Sequence, residues 1–268
     1  MEEKTVNAIV NLGQLKVVEK AYDDLLSEPS KKASSALATI LNIGNTILWP
    51  IKWVNERTRI YFENNLKKYE LELQNIEIEK IVNVPTEISM PILERFAYVS
   101  NEELSNSFVK LLISASSADT INKAHPGFIQ IIDRLSPDEA ILLKYLHTEN
   151  VIPLLGIEHH NDPEDTSIYE NILENKTGLE DKISLIFPEN ISIYLDNLES
   201  LGLIRLYNYY YTFLNEEYPL IEAKYANIIS KVFEIYDDNK LNQVKKYSKR
   251  MYEISHFGKL FIDACIKV

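Results

Sequence analysis

Apolar residues in this chain recur mostly at intervals of three and four, the spacing of one face of a helix. Val10, Leu15, Val18, Ala21, Leu25 and Leu26 predict an amphipathic helix over 5–28, ended by Pro29. Ala33–Ile51 then runs without a charge, with Lys31 and Lys32 before it, Lys52 after it, and Trp49 and Trp53 near its end. This pattern has two readings. One is a membrane-inserting helix with tryptophans and cations at its boundary. The other is a buried helix of a soluble bundle: Ser34, Ser35, Thr39, Asn42, Asn45 and Thr46 dilute the hydrophobicity, and Pro50 stops the run. From Trp53 to about Val82 a charged helical stretch carries Phe62, Leu66, Tyr69, Leu73 and Ile76 in a short heptad seam. Barely two heptads favour one helix of a bundle, with self-association through the seam as the alternative.

A break at Asn83-Val84-Pro85-Thr86 precedes an expected helix over Pro91–Val99. Ser100 is the expected N-cap of the next helix, Glu102–Ser114, with Glu103 as its capping-box acid. Leu104, Phe108, Leu111 and Leu112 lie on one face of that helix. Helix follows helix as far as Arg134, which defines a helical domain over 1–134.

The texture changes over 135–268. Ser136-Pro137-Asp138-Glu139 reads as a helix start, with Ser136 as N-cap, Pro137 at the first position and Glu139 as the capping acid. The expected order is then a strand at Val151–Ile157, a polar loop at His159–Asp165 and a helix at Ser167–Leu173. Next come a helix from Pro188 closed by Gly202, a strand at Leu203–Tyr207, a strand at Arg250–Ile254 and a last helix capped by Ser255. That is the order of a winged helix-turn-helix, with Tyr207–Lys246 as a long insertion at the wing holding a helix over Ile221–Ile235. The expected fold is mainly α: an N-terminal helical bundle followed by a winged-helix-like α+β C-terminal domain.

Composition narrows the chemistry. The 268 residues are 46 % hydrophobic and 25 % charged, an ordinary globular balance. Cys265 is the single cysteine and lies in an apolar run, which excludes an internal disulfide and favours a reducing, cytoplasmic compartment. The start, MEEKTVN, has no apolar signal region. A net charge of −12 opposes nucleic acid and anionic membranes. The one dense basic cluster is Lys245-Lys246-Tyr247-Ser248-Lys249-Arg250. The helix in the recognition position offers Glu189, Asn190, Ser192, Asp196, Asn197, Glu199 and Ser200, and its carboxylates would repel phosphates. It therefore reads as a protein-interaction or packing helix.

The remaining candidates favour structure over catalysis. His159 and His160 near Asp162, Glu164 and Asp165 have metal-ligand chemistry, but adjacent loop histidines rarely aim both rings at one ion, so a polar surface loop is expected. His125 before Pro126 reads as a cap for the helix that follows, with Phe128 buried. No nucleophile motif, phosphate-binding glycine loop or dinucleotide fingerprint is present, so no enzyme activity, cofactor or metal is expected. Tyr207, Tyr209, Tyr210 and Tyr211 either offer stacking faces to bases or bridge core and water beside the wing; without interleaved cations the second reading is preferred.

One combination of motifs is more specific. An acidic helix start (Glu102-Glu103-Leu104) leads to Leu111-Leu112, then His125-Pro126-Gly127-Phe128 and Leu135-Ser136-Pro137-Asp138-Glu139. Near the end of the chain stands Ser255-His256-Phe257-Gly258. Together these resemble the Abi-alpha (abortive infection alpha) family of bacterial proteins, over most of 20–268. Serine replaces the family's threonine at 255 and keeps a capping hydroxyl. The resemblance implies a role in defence against phage and no particular reaction. The expected function is a non-enzymatic antiphage protein that contacts a protein partner or phage-encoded trigger. The alternatives are a toxic effector peripheral to the inner membrane, using the segment 33–53 with Trp49 and Trp53 as contacts, and a winged-helix DNA-binding regulator.

Overall fold

A computed structural model describes residues 56–160, 169–237 and 244–267. The expected helix over 5–28, the uncharged segment, Trp49 and Trp53 lie outside the described residues. The chain divides into two compact units, 56–98 with 112–122 and 99–111 with 123–267.

In the first unit α1 (Glu56–Leu73) buries Phe62, Leu66, Tyr69 and Leu73, four residues of the heptad seam. The Asn65 side-chain amide donates to the Phe96 carbonyl (2.9 Å), satisfying the C-terminal end of α2 (Thr86–Phe96). This helix begins five residues before the expected Pro91 and encloses that proline. Ile88, Ile92, Leu93 and Phe96 form one buried stripe, and packing of the stripe outweighs the missing proline donor. The Tyr69 hydroxyl bonds the Ser116 hydroxyl at 2.8 Å. Tyr69 is buried, which raises its phenol well above the usual range.

The helix α3 (Glu102–Ser116) contributes residues to both units. Its cap is Asn101, not Ser100: the Asn101 side-chain oxygen Oδ1 accepts from the backbone N–H groups of Glu103 (3.0 Å) and Leu104 (3.2 Å). The later start moves Glu103 off the third helical position, and its carboxylate pairs with Lys144 instead.

The second unit holds helices around one antiparallel sheet. In chain order it has α4 (Gly127–Asp133), α5 (Pro137–Glu149), β1 (Val151–His160), β2 (Tyr169–Lys176), α6 (Ile191–Ser200) and β3 (Ile204–Tyr207). Then follow α7 (Glu217–Lys224), α8 (Ala226–Asp237), β4 (Val244–Ile254) and α9 (His256–Cys265). The strand order is β2-β1-β4-β3. Val151–Ile157 reads as a continuous apolar run because β1 is buried on both faces. Val151 and Leu155 join Met251 against Leu214, Tyr218 and Ile221 from the insertion. Ile152 and Leu154 alternate to the opposite face and are buried there as well.

In the second unit three further expectations are overturned. The helix expected at Ser167–Leu173 is strand from Tyr169 onward, paired with the end of β1 from His160↔Tyr169 to Leu155↔Lys176. Cross-strand pairing outweighs a local pattern that fits either state. His159 and His160, expected in a surface loop, are buried strand residues opposite Lys245 and Val244. The single helix over Ile221–Ile235 is two helices divided at Tyr225, whose ring packs against the Leu214–Tyr218–Ile221 core and beside Lys176. Between β2 and α6 the described helical structure is limited to 3₁₀ turns at Leu179–Asp181 and Pro188–Asn190. The fold is mainly helical with a small antiparallel sheet. Among the described residues no helix is long and apolar enough to cross a membrane.

Candidate interaction surface on the second unit

Every residue of Ser136-Pro137-Asp138-Glu139 has a structural task. The Ser136 hydroxyl accepts from the Glu139 backbone (3.3 Å), and the Glu139 carboxylate accepts from the Ser136 backbone, a complete capping box with Pro137 at the first turn. The other Glu139 oxygen accepts from the Asn197 amide at 2.7 Å, and that amide also donates to the Arg134 carbonyl. Asp138 is 1 % exposed. Its carboxylate accepts from the backbones of Ile186 (2.7 Å) and Phe187 (2.9 Å) and from the Tyr194 hydroxyl (2.8 Å). These bonds to a buried charge fix the segment entering α6 and the helix itself. Burial, then the hydrogen bond to Asp138, raises the Tyr194 phenol.

With Tyr194, Leu195 and Leu198 turned inward, α6 presents Ile193, Asp196 and Ser200 to solvent, and Glu189 is exposed in the 3₁₀ turn before it. Ile193 is 64 % exposed, and Ile186 and Phe187 are exposed just before the helix. No lysine or arginine occurs from Ile183 to Ile204. Glu199 faces another way: it accepts from the Leu206 backbone (3.3 Å), closing part of the outer edge of β3, and from the Tyr252 hydroxyl (3.1 Å). The helix ends in a Schellman motif, with Leu203 N–H on Leu198 O and Gly202 N–H on Glu199 O, and Gly202 at φ +74°.

The His125 and Phe257 elements meet across α4 and α9. The His125 ring nitrogen Nδ1 accepts from the Gly127 backbone at 3.0 Å, capping α4. Phe128 is buried with its ring 5.5 Å from Phe257 and 5.3 Å from Phe261. Pro126 immediately precedes α4, and Leu135 is buried before α5. The Ser255 hydroxyl caps α9 through Gly258 N–H (2.8 Å) and donates to the Gly202 carbonyl (2.6 Å). Gly258 lies so close to Leu203 that an added Cβ would stand 2.0 Å from the Leu203 carbonyl oxygen. Thus His125, Pro126, Phe128, Leu135, Ser136, Pro137, Glu139, Phe257 and Gly258 stand at helix starts and helix contacts. Asp138, Tyr194 and the Gly258–Leu203 approach do not stand out in the sequence. An acid in a first helical turn is too ordinary a signal to reveal a buried three-donor acceptor.

The basic cluster is distributed by strand alternation. Lys246 is registered opposite Glu158, Lys249 lies over the Tyr218 ring, and the Tyr247 hydroxyl donates to Glu222 (2.8 Å). His160 Nε2 lies 3.3 Å from the Glu158 carboxylate, while Asp162, Glu164 and Asp165 lie outside the described residues. Among the described residues no group of three or more His, Cys, Asp or Glu side chains is placed to hold a metal ion. Burial raises the Cys265 thiol well above its ordinary range, the opposite of an activated nucleophile.

Residues 61–265 match the family model described as abortive infection alpha. No curated protein matches the chain. A solved structure of an uncharacterized protein from the hydrocarbon-degrading marine bacterium Alcanivorax borkumensis SK2 is similar at 18 % identity. It covers 50 % of this chain and 88 % of that one, with a TM-score of 0.35, too distant to bear on fold or function.

Proposed function

We propose that this chain, which belongs to the abortive infection alpha family, acts in bacterial defence against phage without chemistry of its own, through contacts with another protein. In this reading the second unit is a winged-helix-like module turned to protein binding. What supports that comparison is α5, β1, α6, β3 and β4 in that sequence, with β4 paired to both β1 and β3, although β2 stands where the motif's second helix was expected and α7 and α8 fill the insertion before β4. The observation that carries the protein-binding role is the outward face of α6 and the turn before it, where exposed Ile193 stands between Glu189 of the turn and Asp196 of the helix. Phosphate binding requires cations where this face offers carboxylates. An exposed aliphatic side chain flanked by acids suits a protein partner with an apolar contact and basic neighbours.

The test is plaquing on a host expressing the chain, compared with a host expressing Ile193→Asp. The wild type should restrict at least part of a broad phage panel, and the variant should lose that restriction at equal abundance and helicity. Unchanged plaquing by every phage with the wild type refutes the defence role, and full restriction by the variant refutes the α6 surface. Salt-sensitive binding to genomic DNA fragments would point instead to a regulator, and depolarisation of infected cells to a membrane effector.

A further inference from the structure

One charge in the sheet stands without a counterion. Arg250 of β4 is half-buried, and its Nε is enclosed with no hydrogen-bond partner. Among the described residues no carboxylate pairs with its guanidinium. The acids around it are engaged elsewhere. Glu158, on the same face of β1, lies 3.3 Å from His160 Nε2. Glu199 accepts from the Leu206 backbone and the Tyr252 hydroxyl. An unpaired buried polar group points to a bound water or ion. Water satisfies an N–H but leaves the charge uncompensated, and Arg250 is registered opposite the buried Leu154.

The surroundings of the guanidinium have the shape of a small site. Strand alternation puts Lys246, Ser248 and Arg250 on one face of β4, opposite Leu154, Gly156 and Glu158 of β1. This is the face away from Leu214 and Tyr218; the Arg250 carbonyl accepts from the Tyr218 hydroxyl at 2.7 Å, which fixes the strand. Gly156, where the pairing of β1 with β2 shifts register, leaves a gap. A Cβ there would stand 3.4 Å from Arg250 Nη2 and 3.6 Å from Ser248 Cβ, so both side chains border one space. Among the described residues the Ser248 hydroxyl makes no hydrogen bond and remains free to donate. Charge and shape then select among anions. Asp196 and Glu199 both lie near the Tyr252 hydroxyl, Glu158 stands two residues from Gly156, and the chain carries −12 overall. The Leu173 carbonyl oxygen, 3.0 Å from the same Cβ position, adds a further negative dipole. A multiply charged phosphate meets this field more strongly than a singly charged carboxylate does. The planar guanidinium fork matches the two oxygens of a carboxylate.

We propose that Arg250, Ser248 and the gap at Gly156 form a binding site for a carboxylate, held by the terminal nitrogens of the guanidinium and by the Ser248 hydroxyl. The partial burial that leaves the charge uncompensated also strengthens its pairing with an incoming anion. The site is separate from the α6 surface, and its test reads binding alone, independent of the defence reading.

The experiment is a titration of the full chain with sodium acetate at ionic strength held constant with sodium chloride. Proton–nitrogen correlation NMR follows the Arg250 Nε–H and the Gly156 and Ser248 amides. Saturable shifts with a dissociation constant on the order of 1–10 mM are expected for one such pair. Ser248→Ala should weaken binding several-fold, and Arg250→Met should abolish it. Arg250→Met should also leave the urea midpoint unchanged or raise it, because an apolar side chain of similar length replaces an unpaired charge. Shifts that do not saturate, or that persist in Arg250→Met, overturn the proposal. A lowered midpoint for Arg250→Met marks a structural arginine and overturns it as well. So does tighter binding of inorganic phosphate than of acetate. An aspartate-containing peptide with blocked ends separates the two sources of a carboxylate. Tighter binding than acetate identifies a side chain of a partner protein, and equal binding a free small carboxylate; either supports the site.

Discussion

Replacing Gly258 with alanine should destabilise the protein, although helix propensity alone favours the change by about 1 kcal/mol. The position lies in the first turn of α9, where alanine is ordinarily the better helix former. Here the new Cβ would stand 2.0 Å from the Leu203 carbonyl oxygen, 2.9 Å from its carbon and 3.0 Å from an Ile254 side-chain carbon. The carbonyl is backbone and cannot swing aside, so the start of α9 has to retreat by more than an ångström. That retreat opposes the Ser255 cap on Gly258 N–H (2.8 Å), the bond from Ser255 N–H to Leu203 O (2.9 Å) and the bond from the Ser255 hydroxyl to Gly202 O (2.6 Å). At about 1 kcal/mol for the cap and for each hydrogen bond, the loss is about 3 kcal/mol, or about 2 kcal/mol after the propensity gain. Urea unfolding followed by far-UV circular dichroism measures it. Gly127→Ala is the control, because its Cβ meets only the movable His125 ring (2.9 Å) and should cost less. A Gly258→Ala midpoint equal to or above the wild type would refute the reasoning.

Other outcomes follow from the same structure. Asp138→Ala leaves the Ile186 and Phe187 N–H groups and the Tyr194 hydroxyl without their acceptor and should cost about 3 kcal/mol, against about 1 kcal/mol for Tyr194→Phe. Equal urea midpoints for the two variants would exclude this role. Tyr69, Tyr218 and Tyr252 have phenols raised well above the usual range, each chiefly by burial, and Tyr247 is pushed up to about 12 by burial and then by Glu222. A raised folded value means the proton is held more tightly when folded. Stability should therefore be fully present below the unfolded phenol value of about 10 and decline as pH rises beyond it. Absorbance titration should show these phenols ionising late or only with unfolding; normal titration of all the tyrosines in the folded chain would contradict it. Cys265 should react slowly with an aromatic disulfide reagent in the native protein and promptly in denaturant, since burial both shields the thiol and raises it. Equal rates in the two states would show the thiol to be accessible.

Local signals are legible in the amino-acid sequence. The Ser136 capping box, the Ser255 cap, the Gly202 helix end and the His125 cap each join atoms within a few residues, so spacing alone reveals them. The α1 seam can be read from periodicity because Phe62, Leu66, Tyr69 and Leu73 share one helical face. Where local preference is divided, sequence and structure part. Residues 169–173 fit a helix as well as a strand, and only pairing with β1, brought near by the fold, selects the strand. Pro91 reads as a helix start, yet α2 passes through it because four apolar side chains are buried along its face.

By itself, then, the sequence determined the helical character, the placement of most caps and the family, since each rests on residues near one another in the chain. Only the tertiary structure decided what the polar residues are for. It made Asp138 a buried acceptor for donors 48 to 56 residues away, and it closed Gly258 against Leu203. It spread Lys246–Arg250 along a strand whose side chains alternate between faces, and it left Ile193, Tyr209 and Phe213 in solvent. The physical reason is range. Helix periodicity and capping act over one or two turns, whereas burial and surface charge depend on which distant segments meet, which no local pattern encodes.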